Sequence, residues 1–281
     1  MASSKRTRRP VSRTARRPKR AAAHRPRGPI AVDVGNSDTV VGWFEGRELR
    51  GFWRLTSGRQ TADELELTLR GLLAKPFAEH RAADFGAVLC SVVPALTLPW
   101  TEALAHVCGR PPVEVSGATT PDLKIHYQDR SAVGADRIAN AVAARGLYGT
   151  PAIVVDLGTA TTFDCVSKSG AYLGGAIAPG VGTSAEELFR RAARIPRVEL
   201  TKPERAVGRT TEESLRAGVL WGAAGQIDAL VRRIALEMKG TPHVIATGGW
   251  AKVVVPECET INVVDEGLTL KGMRIIWEAN R

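Results

Sequence analysis

Two short stretches of this chain put a carboxylate where chemistry could be done. At 31–42, AVDVGNSDTVVG, an apolar run ends in Asp33. Gly35, Asn36, Ser37, Asp38 and Thr39 follow before Val40 and Val41 resume it. At 153–164, IVVDLGTATTFD, the pattern returns with Asp156, Gly158, Thr159, Thr161 and Thr162. A carboxylate at the end of a buried strand is costly unless a cation meets it. Glycine lets backbone approach a ligand closely, and consecutive N–H groups in such a turn form a concavity for anions. A loop for phosphate oxygens beside a carboxylate for a metal ion describes a nucleoside triphosphate site. No GxxxxGK[ST] occurs, so the site is not a P-loop. The plainer reading is two β-turns with local side-chain hydrogen bonds. Recurrence 123 residues on (33 to 156), with Thr247-Gly248-Gly249 after a third apolar run, favours the phosphate reading.

These turns need elements to hold them. The first half predicts a strand, the polar turn, a second strand, a Glu45-Gly46 turn and a third strand. The spacing then predicts a helix over 61–75, capped by Thr61, with Asp63 and Glu64 in its first turn and Leu65, Leu69, Leu72 and Leu73 on one face. Residues 87–93 read as a buried strand. The second half repeats strand, polar turn and strand, with a Ser169-Gly170 turn next. A helix is expected over 184–194 behind a Ser184–Glu187 capping box, and a long one over 211–239 behind Thr210 and Glu213, stopped by Gly240 and Pro242. Residues 243–251 read as a strand running into a glycine turn. The whole looks like an α/β unit duplicated, with a cleft between the copies.

Composition bounds the partners. The 281 residues carry a net charge of +10, but residues 1–29 hold 11 of the 39 Lys and Arg and no acid. The remaining 28 basic residues face 29 acidic ones, so the body is near neutral. With Pro10, Pro18, Pro26 and Pro29, the tail 1–29 is expected to be disordered. Three readings of it stand open: a solvated extension or a start codon set too far upstream, an arm for nucleic acid or anionic surfaces, and an organelle transit peptide. No apolar run reaches membrane-spanning length, which predicts a soluble protein. Cys90, Cys108, Cys165 and Cys258 form no CxxC pair and read as reduced structural thiols in a cytoplasmic protein.

Together, Asp-Val-Gly-Asn at 33–36, DLGTATTFD at 156–164 and Thr-Gly-Gly at 247–249 resemble the motifs of the acetate and sugar kinase/Hsp70/actin superfamily. SAVGADRIANAVAAR at 131–145 and GGAIAPG at 174–180 narrow the resemblance to type III pantothenate kinase, over about residues 30–275. The resemblance implies two actin-like (ribonuclease H-like) domains, 30–150 and 151–281, behind the tail, with the nucleotide cleft between them. The implied reaction moves the ATP γ-phosphoryl group to the primary hydroxyl of pantothenate, the first step of coenzyme A synthesis.

Roles carry over by position. Asp33 resembles the magnesium-associated carboxylate, and the turn of Val34, Gly35, Asn36, Ser37, Asp38, Thr39 and Val40 the cradle of the ATP phosphates. Ser37 keeps the hydroxyl of the family's usual Thr. Asp156 matches the position that holds potassium or ammonium. Gly158, Thr159, Thr161 and Thr162 match or neighbour ATP contacts, and Gly248 and Gly249 the turn that admits adenosine. Asp136 matches the proton acceptor. A helix over 137–145 would hold that carboxylate at its positive end, although Asp there is also a common cap. Gly134, Ala135, Asp136 and Arg137 form the substrate turn. The Arg137 fork suits the pantothenate carboxylate, the plainer alternative being a surface salt bridge. Tyr127 and Thr211 match substrate-binding positions, with Arg130 where the family often has Pro. The family forms homodimers, and Gly218, Gly222 and Gly225 would let a second helix approach. The rival readings are a superfamily kinase for another small acid or polyol, and a non-catalytic transcriptional accessory or nucleic-acid-associated protein on the same fold.

Overall fold

The computed structural model describes residues 26–120, 122–238 and 240–281. The first sheet contains β1 (Pro29–Val34), β2 (Asp38–Glu45), β3 (Glu48–Thr56), β4 (Gly86–Ser91) and β5 (Val113–Glu114), in the order β3-β2-β1-β4-β5. The second contains β6 (Ala152–Leu157), β7 (Ala160–Val166), β8 (Tyr172–Pro179), β9 (His243–Thr247) and β10 (Val263–Val264), in the order β8-β7-β6-β9-β10. The two topologies are the same. The opening strand pairs antiparallel with the next strand in sequence and parallel with the fourth strand of its sheet. The expected duplication is therefore present in the strand pairing as well as in the motifs.

Eight helices join the strands among the described residues: α1 (Ala62–Leu72), α2 (Ala74–Glu79), α3 (Pro94–Cys108), α4 (Ala135–Ala143), α5 (Val181–Arg191), α6 (Thr211–Met238), α7 (Ala251–Val254) and α8 (Leu268–Ala279). Thr61 caps α1 as expected, and Glu64 reaches back to its backbone to complete a capping box. Two capping boxes differ from expectation. α5 begins at Val181, so Ser184 lies inside it and Glu187 is free to pair with Arg190. Gly180 is the residue that turns the chain here: a β-carbon on it would lie 2.3 Å from the Thr159 carbonyl oxygen. At α6, Thr210 accepts from the Glu213 N–H at 3.1 Å, but the Glu213 carboxylate takes the N–H of Arg209.

Alternation along the strands sorts the apolar residues into three cores. Ile30, Val32 and Val34 face one side, with α1 and α3. Ile153, Val155 and Leu157 face the other, with α6 and α7. The third core lies between the sheets. It takes Ala31 and Val88 from the first sheet, Ala152 and Val154 from the second, and residues of α4 and α8. Period-2 geometry then aims Asp33 and Asp156, the next residues on those inner faces, into the space between the sheets.

Helix α8 corrects one expected boundary. All strands after residue 151 build the second sheet, but α8 returns and packs on α4, β1 and β4. Trp277 sits where Gly86 leaves room, a β-carbon there falling 2.4 Å from its ring. Helix α8 therefore does not belong to the second unit alone. The tail is corrected at its end. Residues 1–25 lie outside the described residues, but Arg27 donates to Asp84 and Gly86 donates to Gly28 across the start of the first sheet, and Pro29 begins β1. Among the described residues, no helix is long and apolar enough to cross a membrane.

Candidate active site

Asp33, Asp136 and Asp156 line one cavity of about 270 Å³ between the sheets. Each reaches it from a different element. Asp33 and Asp156 are the penultimate residues of β1 and β6; Asp136 stands in the first turn of α4, where its Oδ1 accepts the Arg137 N–H at 2.7 Å. Gly134 precedes α4 because a β-carbon at that position would lie 2.5 Å from Asp136 Oδ1. Ala135 is the first helical residue.

The two polar turns close in related ways. Gly35 donates to the Asp38 carbonyl at 3.0 Å, and Gly158 donates to the Ala160 carbonyl at 3.0 Å. They meet across the cleft, where Ser37 Oγ and Thr159 Oγ1 share a hydrogen bond of 2.8 Å. Gly35, Asn36, Asp38, Val40, Gly158, Thr159, Thr162, Gly248 and Gly249 all line the central cavity. Gly248 has φ +93°, and a β-carbon there would lie 2.6 Å from Asp156 Oδ1.

Three expected contact residues point elsewhere. Val34 is buried in the outer core. Thr39 pairs with Val34, and Thr161 pairs with outer-core Leu157, so the same alternation turns both hydroxyls off the cavity. Thr39 instead bonds Ser57, whose hydroxyl holds the Gly35 carbonyl. These residues shape the turns rather than line the site with side chains.

The charges are unusual. Burial pushes the Asp33 carboxyl up to about 7, with Asp136 adding to the rise. Burial pushes Asp156 up to about 6, opposed by the Asn140 amide, which donates to Oδ2 at 3.1 Å. Asp136 is also raised by burial, against the pull of the Arg137 N–H. Three carboxylates around one small space call for cations. No group of three His, Cys, Asp or Glu close enough to hold a metal occurs among the described residues. The oxygen donors fit a hard cation that takes its other ligands from phosphate and water.

Four side chains at the centre escaped sequence reasoning. Arg54 lines the cavity and pairs with Asp38 at 3.3 Å. The register Asp33↔Val40 and Val40↔Arg54 carries it to the same face, so strict alternation along β3 was the available signal. Asn140 lies one turn beyond Arg137 on α4. Thr269, from α8, donates to the Asn140 side-chain oxygen at 2.8 Å. Glu266 also lines the cavity. No local signal marks Thr269 or Glu266.

One further space adjoins the centre. A cavity of about 1020 Å³ opens past Ser37, Thr159 and Gly249 towards Gly182, Arg190 and Trp250. Arg137 follows Asp136 on α4. The surface salt bridge is corrected here, because Arg137 is 7% exposed and donates from Nε to Asp164 Oδ1 at 2.6 Å. Burial works against its charge, but Asp164 restores it and raises its pKa above the usual value. The Tyr127 ring lies 6.5 Å from that of Tyr172, whose hydroxyl also reaches Asp164. Thr211 stands apart: it opens α6, is exposed, and lines none of these spaces. Gly218, Gly222 and Gly225 face open space, with nothing within 4 Å of an added β-carbon.

The comparisons with known proteins bear on what this cleft is. The family model described as type III pantothenate kinase matches residues 29–233. The chain belongs to the type III pantothenate kinase family. Type III pantothenate kinase of Moorella thermoacetica is 46% identical over 256 residues, covering 89% of this chain and 99% of the relative. That of Thermobifida fusca is 44% identical with the same coverage. Among solved structures, the activator of 2-hydroxyisocaproyl-CoA dehydratase from Clostridium difficile, with bound ADPNP, matches with a TM-score of 0.55 at 12% identity. It covers 90% of this chain and 96% of that one. The ethanolamine utilization protein EutJ from Carboxydothermus hydrogenoformans matches at 0.53 and 16%, covering 89% and 90%. These two carry the fold alone, which is the expected duplicated actin-like architecture. The family match makes the chain an ATP-dependent kinase, and the non-catalytic alternative is not favoured.

Proposed function

We propose that this chain transfers the γ-phosphoryl group of ATP to the primary hydroxyl of pantothenate, giving 4′-phosphopantothenate and ADP. Family membership supports the reaction. The observation that carries the site assignment is the convergence of Asp33, Asp136 and Asp156 on one cavity beside Arg137. ATP lies along the joined turns, its base towards Trp250 and its γ-phosphate at the centre. Asp33 would hold Mg²⁺, and Asp156 would hold K⁺ or NH₄⁺. When bound, these cations neutralise charge on the transferring group. Arg54 joins them from β3.

Asp136 is the base. Its Oδ1 is held by the Arg137 N–H, and its raised pKa makes the carboxylate a better proton acceptor. The pantothenate hydroxyl oxygen attacks the γ-phosphorus, its proton passes to Asp136, and the bond to the β-γ bridging oxygen breaks. Arg137 binds the substrate carboxylate, beside Gly134, Ala135 and Tyr127. Thr211 serves the substrate across a homodimer, reached through the open glycine face of α6. The enzyme works in the cytoplasm, where coenzyme A precursors are made. Phosphorus NMR of the product tests the reaction: a phosphomonoester on pantothenate supports it, and ATP hydrolysis to phosphate alone refutes it.

A further inference from the structure

We propose that Asp164 and Tyr172 are positioning residues for the acid substrate, acting through Arg137 and Tyr127. The inference rests on the assignment of Arg137 to the substrate carboxylate. Asp164 lies on the inner face of β7, opposite Val154 and two residues from Thr162, which pairs with Asp156. It is fully buried. Its Oδ1 accepts from Arg137 Nε at 2.6 Å and from the Tyr172 hydroxyl at 3.1 Å. Its Oδ2 has no partner among the described residues. A buried ion pair with an oxygen left over is a poor stabiliser, because desolvation offsets the attraction. What such a pair does well is fix a direction.

The direction fixed here is that of one guanidinium edge. Arg137 Nε is taken by Asp164, and Nη2 donates to the Phe163 carbonyl at 3.3 Å. The Tyr172 ring lies 5.8 Å from the guanidinium carbon. Three contacts therefore set the plane. Nη1 has no protein partner among the described residues. It is the donor left for a ligand anion, and a guanidinium so held loses little freedom on binding.

Tyr172 serves a second neighbour. Tyr127 packs towards it, and a β-carbon at Gly174 would lie 3.2 Å from the Tyr127 ring. At Gly175 a β-carbon would fall 1.5 Å from the Phe163 carbonyl oxygen and 3.2 Å from Arg137 Nη2. The double glycine of β8 therefore admits both the tyrosine and the arginine. One buried platform, Asp164 with Tyr172, sets the two side chains proposed to meet the substrate's acid end.

The test compares pantothenate with pantothenol, which keeps the reacting hydroxyl but has an alcohol in place of the carboxylate. Asp164→Asn, Tyr172→Phe and Arg137→Met are assayed with both, and each is checked by thermal melting. Asp164→Asn is expected to raise the KM for pantothenate about 10- to 100-fold, with the KM for ATP and kcat/KM for pantothenol unchanged. Tyr172→Phe, which keeps the ring and fold should Asp164→Asn fail to fold, is expected to show a smaller loss of the same selectivity. Equal loss for both substrates, or none, in folded variants overturns the positioning role. If Arg137→Met itself fails to separate the two substrates, the carboxylate assignment falls and takes this inference with it.

Discussion

Removing the charge of Asp33 should stabilise the protein while abolishing its chemistry. Burial moves this carboxyl from an ordinary 3.8 to about 7. That displacement corresponds to about 4 kcal/mol between the protonated and ionised forms. The unfolded chain releases the proton near the ordinary value, the folded chain near 7. The folded state binds more protons between these limits, so stability falls as pH rises through that window. Water and buffer cations entering the cleft screen part of this, leaving about 1–3 kcal/mol between pH 5 and pH 8. Asp33→Asn has no proton to release. Its melting temperature relative to the parent should therefore rise between pH 5 and pH 8 by about 3–10 °C. Mg²⁺ with ATP should narrow the gap, because a bound cation relieves the ionised parent. Differential scanning calorimetry at the two pH values is the assay. A difference independent of pH, or one that shrinks as pH rises, would refute the reasoning.

Other perturbations follow from the same geometry. Gly248→Ala places a β-carbon 2.6 Å from Asp156 Oδ1 at a backbone of φ +93°; a loss of about 1–3 kcal/mol of stability and weaker ATP binding are expected by melting and kinetics. Asn140→Leu removes the amide that favours ionised Asp156, so, with Asp156 as the proposed potassium ligand, the alkaline arm of the potassium response should begin at higher pH. Ser37→Ala breaks the bond that joins the two turns; a severalfold rise in the KM for ATP, with that for pantothenate unchanged, is the expected kinetic signature.

Much of the site was legible because it is local. An apolar run ending in a carboxylate and a glycine turn fixes which face of a strand the carboxylate takes, and both copies obey it. The turn that carries Asp136 was legible because Gly134, Asp136 and Arg137 lie within four residues. What stayed hidden depends on register and on long-range packing. Arg54 reaches the centre only because β3 pairs with β2 in one register. Thr269 reaches Asn140 across 129 positions of chain. Asp164 stood within the quoted motif, but nothing in its sequence spacing names Arg137 as its partner. The return of α8 to the first sheet is invisible to any local pattern, since its amphipathic face fits either sheet.

The central claim is that Asp136 takes the hydroxyl proton in a pantothenate-dependent phosphoryl transfer. The most direct measurement is ADP release from Mg·ATP with and without pantothenate, in potassium and then in sodium buffer, for the parent and for Asp136→Asn. Release that requires pantothenate and potassium, with kcat lowered about 10²–10⁴-fold in the variant and the KM for pantothenate little changed, is the predicted result. Pantothenate-dependent release that survives Asp136→Asn undiminished would contradict it.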